Sequence, residues 1–167
     1  QLMEGMVADL WKQLKGVELP RPFKRLPYQE AMERFGSDKP DIRYGMELVD
    51  CSDLARESAF KVFRSAVEGN GRVMGLRVPG GGSMSRKELD DLTLKASQFG
   101  AKGLAWMVRE EDGWRSPIAK FFEKDLLERF GQRMEAEQGD LLLFVADRWL
   151  TCCEVLGQLR LLFRPQE

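Results

Sequence analysis

Apolar residues recur at three- and four-residue intervals in several parts of the chain, and this spacing predicts amphipathic helices. The first such segment begins near Leu2 and ends at Gly16, and a short second one runs from Tyr28 to Phe35 and ends at Gly36 as a left-handed cap. Further helices are predicted after the capping box of Ser85 and Glu88, around Leu126 to Met134, and from Leu150 to Phe163.

Other segments carry strand patterns. Residues 44–50 predict a first strand, residues 72–79 alternate as a strand with one buried face, and residues 103–116 predict a hairpin that turns at Asp112-Gly113. The apolar run at 139–147 predicts a central strand that is buried on both faces. Residues 59–67 fit either a helix or a strand. Strands that alternate with helices predict a sheet covered by helices.

Length and composition favour one main globular domain. The chain has 167 residues, of which 43% are hydrophobic and 32% charged. Residues 17–27 contain three prolines and predict an extended connector. The first segment has no signal-peptide pattern, and no stretch approaches the roughly 20 apolar residues of a membrane helix. Because Gln1 stands inside a helical pattern, we expect the chain to be a piece of a longer protein.

Charge and missing residue types exclude several function classes. The formal net charge of −1 argues against strong non-specific nucleic-acid binding, so any contact with RNA is expected to be local and modest. The chain has no histidine, which removes the commonest general base and every Ser-His or Cys-His nucleophile. Cys51, Cys152 and Cys153 lack the spacing of a zinc site, and we expect buried, reduced thiols.

Three segments invite a functional interpretation and also have a structural one. The glycine-rich stretch VPGGGSMSRKE resembles a phosphate loop, but Ser83 and Met84 replace the Lys-Ser/Thr pair that such a loop needs, which favours a flexible connection. Residues 109–112 contain three adjacent carboxylates and fit a solvated hairpin tip better than a catalytic pair. Residues 114–122 fit apolar edge packing or an RNA-facing ridge.

The stretch GSDKPDIR at 36–43 combines turn signals with charges. Ser37 and Asp38 can bond nearby backbone amides, and Pro40 fixes its own φ angle. Lys39 and Arg43 can pair with the aspartates of the stretch or contact a phosphate. From local chemistry alone, a structural corner and a functional loop both remain open.

Several motifs together resemble bacterial-type aspartyl-tRNA synthetase. These are RPFKRLPYQEAMERFGSDKPDIRYGMELVD, GRVMGLRVPGG with SRKELDDLT, GAKGLAWMVREEDGWRSPIAKFF, GDLLLFVAD and LGQLRL, in the family's order over nearly the whole chain. The resemblance implies an α+β fold, a two-layer sandwich with a mainly antiparallel sheet covered by helices and an extra N-terminal helix and connector. It replaces any expectation of a parallel sheet.

The resemblance also implies how the chain is divided. Residues 1–43 are similar to a helix and connector of the class II catalytic domain, residues 44–163 to the bacterial insertion domain, and residues 164–167 end the segment. The resemblance assigns no catalytic, cofactor-binding or metal-binding residue to this chain. ATP and Mg²⁺ belong to the whole synthetase, as do tRNA(Asp), the rest of the synthetase chain and a homodimer formed through the catalytic domain. The implied location is the cytoplasm, with no membrane partner.

The implied role is an accessory, non-catalytic one beside the tRNA acceptor end. Candidate tRNA-proximal or junction residues are Ser37, Asp38, Lys39, Asp41, Arg43, Arg77, Arg86 and Lys120. The alternative is a stand-alone tRNA-binding module or one associated with a tRNA-dependent amidotransferase, since a similar domain occurs in a subunit of those enzymes. A third alternative is an insertion that never touches RNA.

Overall fold

The computed structural model describes residues 2–165. Its helices are α1 (Leu2–Lys15), α2 (Tyr28–Phe35), α3 (Ser52–Glu57), α4 (Lys61–Glu68), α5 (Arg86–Gln98), α6 (Lys124–Arg133) and α7 (Trp149–Leu162). Its strands are β1 (Leu48–Asp50), β2 (Arg72–Val78), β3 (Ala105–Glu110), β4 (Gly113–Arg115) and β5 (Leu141–Asp147). Short 3-10 turns occur at Gly81–Ser83 and Ala119–Phe121.

The five strands form one antiparallel sheet in the order β1-β2-β5-β3-β4. Strand β5 lies at its centre, where Leu143 pairs with Leu76 of β2 and with Trp106 of β3. This position explains its unbroken apolar run and confirms the prediction of a central strand. The prediction that β2 has one buried face is wrong, because Val73 is buried in the core on one side of the sheet and Leu76 in the core on the other side.

Helices cover both faces of the sheet. Successive residues of β5 point to opposite sides, so Leu143 packs in the core beneath α5 and α7, whereas Phe144 packs in a second core beneath α3, α4 and α6. The second core is built on phenylalanine contacts, such as the edge-to-face pair of Phe130 and Phe144 at 5.5 Å between centroids. The α+β class and the antiparallel sheet are confirmed. The helices form two layers, one on each face of the sheet.

Several local predictions are confirmed. The Ser85 side chain accepts a hydrogen bond from the Glu88 amide while Glu88 reaches back to the Ser85 amide, which completes the capping box of α5. Gly36 ends α2 with φ 69°, and its amide donates to the carbonyl of Met32. Strands β3 and β4 form the expected hairpin, with Glu110 opposite Gly113.

The structure corrects or decides three segments between α2 and β2. The strand predicted over 44–50 is confined to Leu48–Asp50, because the preceding backbone turns its carbonyls toward a buried side chain of α7. The ambiguous segment at 59–67 is helical, as α4. Helix α3, which has six residues, was not predicted. The Asp50 carboxylate accepts a hydrogen bond from the amide of Ser52, the first residue of this helix.

Helix α1 remains largely exposed along its apolar side, with Leu2 88% and Leu14 75% accessible. Its ion pairs run to the connector that follows it, from Asp9 to Arg21 and from Glu4 to Arg25. Among residues 2–165, no helix is both long and apolar enough to cross a membrane.

Candidate functional site

The loop between α2 and β1, residues 36–46, contains most of the sequence-predicted site residues. It starts where α2 touches α7 backbone to backbone, at Gly36 and Gly157. A Cβ on Gly36 would lie 2.1 Å from the carbonyl oxygen of Cys153 and 2.7 Å from the Cα of Gly157. Only glycine fits this approach, and the left-handed backbone at Gly36 adds to the requirement.

Short-range hydrogen bonds organise the first half of this loop, as predicted for Ser37 and for the pair of Asp41 with Arg43. The hydroxyl oxygen of Ser37 accepts from the Lys39 amide at 3.1 Å. The Asp41 carboxylate accepts from the Arg43 amide at 3.1 Å and from the Arg43 guanidinium at 2.8 Å. Hydrogen bonds from Arg43 lower the pKa of Asp41 to about 2. Asp38 and Lys39 are exposed at the outer side of the loop.

A buried arginine of α7 holds the second half of the loop. The guanidinium of Arg160, a residue only 1% exposed, donates from Nη2 to the carbonyls of Asp41 at 2.7 Å and of Tyr44 and Gly45 at 3.0 Å. Its Nε donates to the carbonyl of Met46 at 3.0 Å. Four backbone carbonyls therefore converge on one cation.

Two aromatic rings complete the surroundings of this cation. The Arg160 guanidinium carbon lies 4.1 Å from the ring centroid of Tyr44 and 5.1 Å from that of Phe35, and Nη1 donates to the Tyr44 hydroxyl at 3.3 Å. Burial lowers the pKa of Arg160 from its ordinary value. The sequence reading missed Arg160, because an arginine in an apolar helix pattern carries no local sign of its distant partners.

Arg77 lies apart from the loop, on β2, and is engaged in a network of its own. Its Nε donates to the Asp140 carboxylate at 2.6 Å, and Asp140 is only 3% exposed. The same carboxylate accepts from the amides of Gly80 at 3.0 Å and Glu137 at 2.9 Å. Arg77 thus ties the end of β2 to the turn before β5.

Arg86 and Lys120 lie on further elements. Arg86 is the exposed first residue of α5. Lys120 sits in the 3-10 turn before α6, with its ammonium 5.2 Å from the ring centroid of Phe121, and Phe121 in turn stacks on Phe60. The structure brings together the five candidates in 37–43 and leaves Arg77, Arg86 and Lys120 at other places, Lys120 among elements on the face opposite α7.

The glycine-rich loop and the three cysteines are packed into the fold. Within residues 2–165, no group of three or more His, Cys, Asp or Glu side chains could hold a metal ion. The start of α5 is capped by its own side chains, and the carbonyl of Gly82 accepts from Arg115 at 2.8 Å, so the glycine-rich loop is a packed connection. All three cysteines are buried and free, and burial raises the pKa of Cys51 and Cys153 to about 12 and of Cys152 to about 11.

Comparison with known proteins identifies the family of this chain. The family model of the GAD domain matches residues 63–156, which run from α4 through the sheet into α7. The chain belongs to the GAD domain family. The matched part carries most of both cores, and the loop at 36–46 precedes it.

Relatives of this GAD chain match beyond the domain itself. It is 55% identical over 160 residues to the aspartate–tRNA(Asp/Asn) ligase of Natranaerobius thermophilus and 54% identical over 161 residues to that of Moorella thermoacetica. The ligase of Persephonella marina is 49% identical over 158 residues. These matches cover 94–96% of the chain but only 26–27% of each relative, so the chain spans about a quarter of their length.

Proposed function

We propose that the chain is the non-catalytic GAD segment of a cytoplasmic aspartate–tRNA ligase and lies beside the acceptor end of tRNA(Asp). The observation that carries the proposal is the identity of about half of all residues over 94–96% of the chain with aspartate–tRNA(Asp/Asn) ligases. The proposed partners are the rest of the ligase chain, tRNA(Asp) and a second ligase subunit bound through that remaining part.

The extent of the match supports a ligase over a stand-alone or amidotransferase-associated module. The GAD model accounts for residues 63–156 alone, whereas the ligase relatives align over at least 157 residues of this chain. The additional part contains α2, the 36–46 loop and the end of α7 with Arg160, and these three pack on one another. Such a shared extension is expected if the module is built into a ligase.

The proposal of a non-catalytic role rests on the chemistry of the described side chains. Aspartate activation needs groups that hold ATP, Mg²⁺ and aspartate, and the candidate loops of this chain are closed by their own hydrogen bonds. The buried carboxylate of Asp140 is engaged in an ion pair with Arg77 that links two elements of the fold. ATP and Mg²⁺ are therefore assigned to parts of the ligase outside this chain.

The proposed contact with tRNA is local. Lys39 is exposed on a loop whose backbone is fixed at Gly36 and Arg160, so its ammonium can meet a phosphate without first ordering the chain. Arg86 and Lys120 are further exposed cations on separate elements. Because the net charge is −1, these contacts are expected to support ligase binding rather than independent capture of tRNA.

An ATP–pyrophosphate exchange assay tests the non-catalytic role. The 167-residue chain, incubated with aspartate, ATP and Mg²⁺, is expected to give no exchange above the protein-free blank. The full-length ligase serves as the positive control under the same conditions. Aspartate-dependent exchange by a preparation of the chain that contains no full-length ligase would refute the proposal.

A salt titration of tRNA binding tests the proposed contact. The chain alone is expected to bind tRNA with a Kd above about 10⁻⁵ M at physiological salt, and its affinity should fall further with added salt. In the full-length ligase, Lys39→Ala should weaken tRNA binding, whereas Lys95→Ala, an exposed α5 control, should not. Equal effects of both variants would leave the loop without the proposed role.

A further inference from the structure

We infer that Arg160 is a positioning residue that locks the α2 segment and the 36–46 loop onto α7, so that residues 28–47 and the GAD domain form one rigid unit. This inference does not depend on the proposed contact with tRNA. It concerns which part of the chain moves together, and it follows from the contacts of one buried cation.

The hydrogen-bond partners of the buried Arg160 guanidinium are unusual for a buried cation. A buried guanidinium usually has a carboxylate partner, because removing a charge from water is costly. Here the planar fork uses its N–H groups on the carbonyls of Asp41, Tyr44, Gly45 and Met46 and on the Tyr44 hydroxyl. The cation is thus satisfied only while the loop keeps this conformation.

The loop in turn depends on the cation. The carbonyls of Tyr44, Gly45 and Met46 point to the same place, and without a positive group their dipoles would repel one another. Met46 has φ 66°, a left-handed backbone that is strained for a non-glycine residue. The hydrogen bond from Arg160 Nε to the Met46 carbonyl offsets this strain.

A second contact between the same two elements supports the lock. Gly36, at the end of α2, and Gly157, one turn before Arg160, approach so closely that a Cβ on Gly157 would lie 2.4 Å from the Gly36 carbonyl oxygen. Phe35 closes the side of the guanidinium that faces α2. Residues from 35 to 46 are therefore fixed to α7 at both ends of the loop.

Distance measurements between spin labels test the lock in the 167-residue chain. Labels on Lys39→Cys and Lys95→Cys report the loop relative to α5, and labels on Lys61→Cys and Lys95→Cys report α4 relative to α5, across the sheet. The native thiols are buried with pKa values of about 11 to 12, so labelling near pH 7 goes to the introduced, exposed cysteines.

The variants are Arg160→Lys, Arg160→Met and the control Arg148→Lys, an exposed residue before the same helix. We expect a narrow 39–95 distance distribution with Arg160 or with Arg148→Lys, and a distribution at least twice as wide with either Arg160 variant. The 61–95 distribution should stay narrow throughout. Lysine is not expected to rescue, because a single ammonium cannot replace a planar fork that reaches four carbonyls.

Two results would overturn the inference. An unchanged 39–95 distribution in both Arg160 variants would mean that the loop holds itself without the cation. Equal broadening of the 39–95 and 61–95 distributions would mean that Arg160 supports the whole domain rather than the position of the loop.

Discussion

The 36–46 loop and the glycine-rich loop at 79–83 are both charged or glycine-containing connections that local sequence marks as candidate sites, and the structure holds them in opposite ways. The first turns backbone carbonyls toward the buried cation of Arg160. The second turns the Gly80 amide toward the buried carboxylate of Asp140. In each case one charged side chain from a distant element replaces the regular hydrogen bonds that a loop lacks.

The two loops differ in what remains accessible. In the glycine-rich loop, Gly82 bonds Gly139 through its amide and Arg115 through its carbonyl, and the exposed residues Pro79, Gly80 and Ser83 carry no charge. The 36–46 loop is fixed from behind and keeps Asp38 and Lys39 in solvent. This difference makes the first loop the better candidate for a contact with a partner, although glycine-rich sequence is the more familiar sign of a phosphate site.

Removing the anion from the glycine-rich loop is expected to have the largest effect on stability. Asp140→Ala leaves Arg77 and the amides of Gly80 and Glu137 without their shared acceptor. We expect a loss of about 3 kcal/mol in the free energy of unfolding, measured by urea denaturation. The exposed control Asp90→Ala should change it by less than about 0.5 kcal/mol.

A similar loss in the free energy of unfolding for Asp140→Ala and Asp90→Ala would show that the Asp140 network does not stabilise the fold. The comparison of the loops would then fail on the side of the glycine-rich loop, because its conformation would not need a buried anion.

A pair of glycine substitutions sharpens the comparison. Gly36 and Gly80 have nearly the same left-handed φ, 69° and 67°, but a Cβ would clash at Gly36 and meet nothing within 4 Å at Gly80. Gly80→Ala should cost about 1 kcal/mol from backbone strain, and Gly36→Ala about 1–3 kcal/mol more from overpacking against α7. Thermal or urea unfolding of both variants measures the difference, and equal losses would contradict the close contact of α2 with α7.

The smallest expected effect concerns Asp41. Its pKa is lowered from the ordinary 3.8 to about 2 by hydrogen bonds from Arg43, so the folded state favours the carboxylate. The resulting stability is present in full above the unfolded pKa and is lost as the pH falls through about 2. An NMR titration of the Asp41 carboxyl carbon should give a midpoint near 2, and Arg43→Gln should return it toward the ordinary value. An unchanged midpoint in Arg43→Gln would show that Arg43 does not lower the pKa of Asp41.

Elements with strong local signals could be predicted from the sequence. The apolar run of β5, the capping box of Ser85 and Glu88, and the turn before Gly113 each act over a few residues, so their outcome depends little on the rest of the chain. The short helix α3 was missed because six residues show less than two turns of periodicity.

The anchors of the two loops could not be predicted in this way. Arg160 bonds Asp41 across 119 positions, and Asp140 bonds Arg77 across 63. The same distance explains the strand predicted over 44–50, since its first residues have strand-like composition but their carbonyls serve Arg160. Local sequence marked residues 37–43 as candidates but gave no sign of Arg160, the side chain that holds their loop.

The most direct test compares two activities of the full-length aspartate–tRNA ligase to which we propose that this chain belongs. The account predicts that Lys39→Ala leaves aspartate-dependent ATP–pyrophosphate exchange unchanged and raises the KM for tRNA(Asp) in aminoacylation by about fivefold, the effect of about 1 kcal/mol. A loss of pyrophosphate exchange with an unchanged KM for tRNA(Asp) would contradict it, because the loop would then serve the chemistry of activation rather than the placement of tRNA.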